Sequence, residues 1–135
     1  MVVSTFSEPH ETRSDASSVP LTTGATHFQE IAYVFDNTQG YGYPPISVNP
    51  LGGKPASYTR LADLMSKMWV SFVHDLNPNN HGVNGTAHWP VYNATDGYGK
   101  NFVFDTNVTS HAELDTWRAE GIAFIIENAA SQFGR

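Results

Sequence analysis

From Tyr58 to Leu76 the apolar residues Leu61, Leu64, Met65, Met68, Trp69, Phe72, Val73 and Leu76 recur at spacings of three and four. That is the pattern of a long helix with one wide apolar face. Such a face can be a groove for lipid or a partner, but at helical spacing it is first of all core, and it requires a second layer to cover it. Ser57 is placed to cap the N-terminus. Asn77-Pro78 ends the helix, because a proline disfavours the helical conformation of the residue before it.

The other segments are less regular. Met1 to Ser18 alternates small and polar residues without a period and reads as a flexible lead-in. Phe28, Ile31, Ala32 and Phe35 are spaced for a short helix starting just after His27. Asp36 to Lys54, with Pro44, Pro45 and Pro50, is a loop, and it carries Tyr41 and Tyr43. Asn79 to Gly99 is a second loop containing Trp89-Pro90-Val91-Tyr92. Asn101 to Asp105 then alternates as a strand, with Phe102 and Phe104 on one side. Ser110-His111-Ala112-Glu113 fits a capping box, which predicts a last helix burying Leu114, Trp117, Gly121, Ile122 and Ile125. Three helices, one or two short strands and long loops suit the outer layer of a larger α/β structure better than a free-standing domain.

The composition of the 135 residues narrows the function classes. A 40% hydrophobic content with 15% charged residues belongs to a packed structure, not a disordered one. The net charge of -6, with 7 Lys and Arg scattered singly, offers no footprint for nucleic acid or an anionic membrane. With no cysteine there is no disulfide, thiolate nucleophile or Cys-based zinc site. No run approaches the ~18 apolar residues of a membrane span. Met1 to Pro20 lacks the basic start and apolar core of a signal peptide, so nothing in it directs secretion. Three N-glycosylation sequons, at Asn84, Asn93 and Asn107, point instead to a secreted parent protein.

His27 follows a glycine-containing turn and precedes an amphipathic segment, a place where a catalytic base can sit; taken alone it reads as a structural or surface histidine. Glu30, one helical turn on, suggests a second catalytic or metal-binding group, against its plainer reading as a residue of the helix start. His10, His74, His81, His88 and His111 make no HExxH or H-x3-5-H pairing and read as solvated. Tyr41, Tyr43 and Phe35 either border a pocket or pack in the loop.

Five landmarks stand in order along the chain: GATHFQEIAYVF from Gly24 to Phe35, Met68-Trp69-Val70-Ser71-Phe72, Asp75-Leu76-Asn77-Pro78-Asn79, Trp89-Pro90-Val91-Tyr92, and Asp115 to Phe124. Together they resemble the type-B carboxylesterase and lipase family, which includes the cholinesterases and secreted fungal lipases, and look most like its fungal branch. The resemblance covers residues 19–128, leaving 1–18 without a counterpart and 129–135 as a tail. It implies an α/β hydrolase fold of which this chain holds the C-terminal portion, without the main parallel sheet. It implies ester hydrolysis on ester or lipid substrates by a Ser-Glu-His triad, with no metal or organic cofactor, and His27 as the base. In that family Glu30 is not the triad acid.

The serine of such a triad needs an imidazole to remove its proton and later to protonate the leaving alcohol. It also sits in a G-x-S-x-G elbow facing an oxyanion hole. No G-x-S-x-G occurs here, and the family's acid and oxyanion loop lie N-terminal to the histidine. The chain alone is therefore expected to be inert as an esterase. The rival expectation is a non-catalytic protein associating with a partner through exposed helix faces, and a metal-dependent enzyme built on His27 and Glu30 comes third.

Overall fold

The computed structural model describes residues 2–3, 28–42, 49–95, 97–132 and 134. Its elements in chain order are β1 (Val2–Val3), α1 (Ile31–Val34), α2 (Ala56–Asp75), β2 (Lys100–Phe104), β3 (His111–Leu114) and α3 (Ala119–Gln132). The strands form a three-stranded sheet in the order β1-β2-β3. β1 runs parallel to β2, with Val2 opposite Val103, and β3 runs antiparallel to β2, with Lys100 opposite Leu114 and Val103 opposite His111. Paired on both edges, β2 is buried from Asn101 to Phe104.

The apolar face of α2 meets this sheet and α1. Leu61, Ala62, Leu64, Met65 and Met68 join Ala32, Tyr33, Leu51, Tyr58, Phe102 and Phe104 in one core. Two tryptophans bind its halves together. Trp69 on α2 and Trp89 in the following loop lie 5.9 Å apart, and Trp89 stacks on Phe102 at 5.3 Å and meets Phe104 edge-on at 5.5 Å. The predicted stripe does not stay buried to its end. Phe72, Val73 and Leu76 are exposed.

Helix α2 begins two residues earlier than the expected Tyr58, which corrects the role given to Ser57. Pro55 occupies the N-cap with no side-chain hydrogen bond, and Ser57 lies inside the first turn. The fixed φ of proline, here -53°, already sets the chain for helix entry. At the far end Leu76 turns left-handed at φ 55° and donates its N–H to the Phe72 carbonyl at 2.9 Å. The buried Ser71 hydroxyl donates to the Asn77 carbonyl at 2.6 Å and accepts the Asn80 N–H at 3.1 Å, holding the exit loop against the helix.

The capping box at Ser110 is not formed. His111–Leu114 is strand β3, and the Ser110 hydroxyl accepts the Asp105 N–H at 3.3 Å. Asp105 Oδ1 in turn accepts the N–H groups of Asn107 and Val108, closing the turn between β2 and β3. Pairing with the edge of β2 satisfies backbone groups that a helix here would have satisfied, and adds cross-strand contacts. The last helix starts only at Ala119, after Arg118 at φ 54°. None of its residues is buried, so the expected burial of Leu114, Trp117, Gly121, Ile122 and Ile125 is also corrected. Among the described residues no helix is long and apolar enough to cross a membrane.

Candidate functional site

His27, the residue singled out as a base, lies just outside the described residues, as do His10 and Tyr43. The chain beyond His27 enters α1 through a tight turn. Phe28 adopts φ 72°, a left-handed conformation that a bulky side chain rarely takes. The turn leads into α1, whose Ala32 and Tyr33 are buried against α2. Glu30 occupies the N-cap position of α1 without a side-chain capping bond, and its carbonyl accepts the N–H groups of Tyr33 and Val34 at 3.0 and 2.9 Å. Its observed place is that of a helix-start residue.

The loop after α1 is held by asparagines. Asn37 donates to the Tyr41 carbonyl at 2.8 Å and accepts the Tyr41 N–H at 2.9 Å. Asn49 donates to the Thr38 carbonyl at 2.9 Å and accepts the Leu51 N–H at the same distance. The side chains of Phe35 and Tyr41 remain exposed. Among the described residues neither is packed into the core.

The described histidines are dispersed. His74 hydrogen-bonds to the carboxylate of Asp75, and that contact, with the Asn80 amide, holds Asp75 below the usual carboxylate range. His81 Nδ1 accepts the Val83 N–H at 3.0 Å; partial burial, and then the Lys67 charge, lower its pKa from the ordinary imidazole value. His111 Nδ1 faces the Thr109 carbonyl at 3.0 Å. His88 is exposed. Among the described residues no histidine is bonded to a serine or threonine hydroxyl, and no three His, Cys, Asp or Glu side chains could share a metal.

Among the described residues two grooves lie against α2. The apolar one, about 720 Å³, is lined chiefly by Met68, Trp69, Phe72, Leu76, Trp89 and Val91. Its wall depends on Asn79, a residue that sequence reasoning alone did not single out. Asn79 accepts the Trp89 N–H at 2.7 Å and donates to the Trp89 carbonyl at 3.0 Å, a two-point clamp that fixes the indole over the core. The Asn77-Pro78-Asn79 exit was the available signal, since asparagine side chains bond readily to nearby backbone. The second groove, about 420 Å³, is more polar and lies between the start of α2 and the turn joining β2 to β3. The three sequon asparagines, Asn84, Asn93 and Asn107, are all exposed.

Comparison with known proteins adds what the described geometry lacks. A model of the carboxylesterase family matches residues 3–118. Over 89 residues the chain is 32% identical to the medium-chain fatty acyl-CoA hydrolase precursor of Anas platyrhynchos, covering 66% of this chain and 14% of that protein. It is 32% identical over 79 residues to a liver carboxylesterase of Sus scrofa and 33% identical over 79 residues to carboxylesterase 1E of Rattus norvegicus, in each case 58% of this chain and 12% of the relative. The chain thus spans about a seventh of the first relative's length. With the family model matching most of its residues, the chain belongs to the carboxylesterase family.

Proposed function

We propose that this chain is the C-terminal portion of a serine carboxylic-ester hydrolase of the α/β hydrolase fold, with His27 as its general base. The observation that carries the reading is the family match over residues 3–118, which contains the segment GATHFQEIAYVF. In the complete enzyme the imidazole of His27 takes the proton of a serine supplied by another part of the protein, and returns it to the leaving alcohol. An acidic partner, also outside this chain, holds the tautomer. The substrate class is a carboxylic ester or lipid acyl group, in keeping with relatives named as carboxylesterases and a fatty acyl-CoA hydrolase. The family portion begins by residue 3, ahead of the expected start at 19, and runs on to 128, and the parent is a secreted glycoprotein carrying sugar on its exposed sequons.

The members of a triad act as a unit, and single losses cost ~10⁴ to 10⁶ in turnover. The chain alone therefore hydrolyses nitrophenyl esters no faster than free imidazole. Joined to the elbow-bearing portion of its enzyme it supports turnover, and His27→Ala then removes nearly all of it while the circular dichroism is unchanged. Retention of more than about a tenth of the activity, where triad losses run to orders of magnitude, would show that His27 is not the base.

The exposed apolar faces support a second reading, a non-catalytic protein that binds a partner through its helices. Ile122, Phe124, Ile125 and Ile126 on α3 and Val70, Phe72, Val73 and Leu76 on α2 and its exit are each more than half exposed. A folded, monodisperse complex of this chain with a partner unrelated to the esterase would favour it.

A further inference from the structure

The polar groove beside α2 has three features that converge on one kind of occupant. Asn84 and Thr86 of one sequon and Asn107 and Thr109 of another all line it, although the two sequons are far apart in sequence. Thr106, between them, is only 8% exposed, and its Oγ1 is the one buried side-chain polar atom among the described residues without a hydrogen-bond partner. Arg60 of α2 also lines the groove and forms no ion pair among the described residues. A buried hydroxyl without a protein partner and a guanidinium without an ion pair among the described residues, beside two sugar-acceptor sequences, suit a ligand rich in hydroxyl and carbonyl oxygens. The third sequon stands apart: Asn93 is outside the groove, and its Oδ1 accepts both the N–H and the hydroxyl of Thr95, at 2.9 and 2.6 Å.

We propose that this groove seats the first N-acetylglucosamine residues of an N-glycan carried on Asn84 or Asn107. A volume of about 420 Å³ lies within the range of small-molecule sites, roughly 300 to 1,000 Å³. Attachment at the rim makes binding intramolecular, so weak contacts suffice. The sugar comes from a polyprenyl-diphosphate-linked oligosaccharide. The asparagine Nδ2 bonds to C1, the C1–O bond to the diphosphate breaks, the diphosphate leaves with the bonding pair, and the amide proton passes to a base. The acetamido carbonyl and ring hydroxyls then accept from Arg60, and Thr106, whose Oγ1 is buried, turns its side chain outward to meet them. The inference rests on the secreted-glycoprotein reading given above.

The test uses the chain joined to the remainder of its enzyme and secreted from a glycosylating host, with occupancy of Asn84, Asn93 and Asn107 read by glycopeptide mass spectrometry. The glycosylated chain is then digested under native conditions with an endoglycosidase that cuts between the two core sugars, and release is timed at each site. Sugar on Asn84 or Asn107 is released about tenfold more slowly than sugar on Asn93, the size of one charge-assisted hydrogen bond, and all sites are equal after denaturation. Asn84→Gln and Asn107→Gln, made separately, identify which attachment point fills the groove. Thr106→Val combined with Arg60→Ala abolishes the difference. If that variant does not fold, the native comparison with Asn93 in the unaltered chain still decides. Equal native release at all three sites overturns the inference alone, whereas absence of sugar from every sequon overturns the glycoprotein reading and this inference with it.

Discussion

A Cβ on Gly99 would lie 2.5 Å from the ring of Tyr92, so no other residue fits there while that ring keeps its place. The ring is held by its hydroxyl, which donates to Asp115 Oδ2 at 3.1 Å, while the Asp115 N–H donates to the Gly99 carbonyl at 2.8 Å. Donation to a carboxylate makes the phenol harder to ionise and raises the Tyr92 pKa above the ordinary tyrosine value. Because the atoms in conflict are the far end of a half-exposed side chain, Gly99→Ala is expected to swing Tyr92 away and leave the backbone intact. The Tyr92 pKa then falls back to that of a free phenol, as a near-ultraviolet titration would register. A raised folded pKa contributes stability below the unfolded value of about 10, and that contribution is lost as the pH rises through the folded one. Gly99→Ala should therefore flatten the alkaline limb of the stability profile. An unchanged tyrosine titration would mean that the ring does not depend on the glycine.

Whole elements depend on single side chains in the same way. Asn79→Ala removes both bonds of its clamp and strands the Trp89 N–H and carbonyl, so a loss of about 1 to 3 kcal/mol is expected. A lowered urea midpoint with a red shift of tryptophan emission checks it, and a midpoint shift without spectral change would place the loss elsewhere. Helix α2 and strand β2 were legible in the sequence because their patterns are long or strictly alternating and their own burial enforces them. Residues 110–113 were not, since a capping-box spelling is local while the vacant edge of β2, which captures them, is set by residues about ten positions earlier. The buried side assigned to α3 failed for another reason. An apolar stripe states that a helix wants a cover, not that the cover lies in the same chain. At the candidate site the family landmarks were legible, but His27 lies outside the described residues, and on the proposed function its serine and acid come from sequence outside these 135 residues.

For the molecule as a whole, the same uncovered faces decide how it behaves alone. The chain corresponds to 12–14% of its relatives, and the apolar residues at the end of α2 and along α3 face outward. Burying each large apolar side chain is worth ~1.5 to 3 kcal/mol, a driving force that any available surface can satisfy. Each of the two faces leaves several large apolar side chains exposed, a grouping soluble monomers seldom carry. The isolated chain should therefore show helical circular dichroism, bind a hydrophobic dye, associate with increasing concentration and melt broadly. Ile122→Glu together with Ile125→Glu on α3 should reduce association without loss of helical signal, because neither side chain contributes to the core. On the proposed function, joining the chain to the remainder of the enzyme should suppress dye binding and sharpen the melt. A monodisperse monomer with a sharp, cooperative melt would instead make the chain a self-sufficient unit, and would shift the balance toward the partner-binding reading.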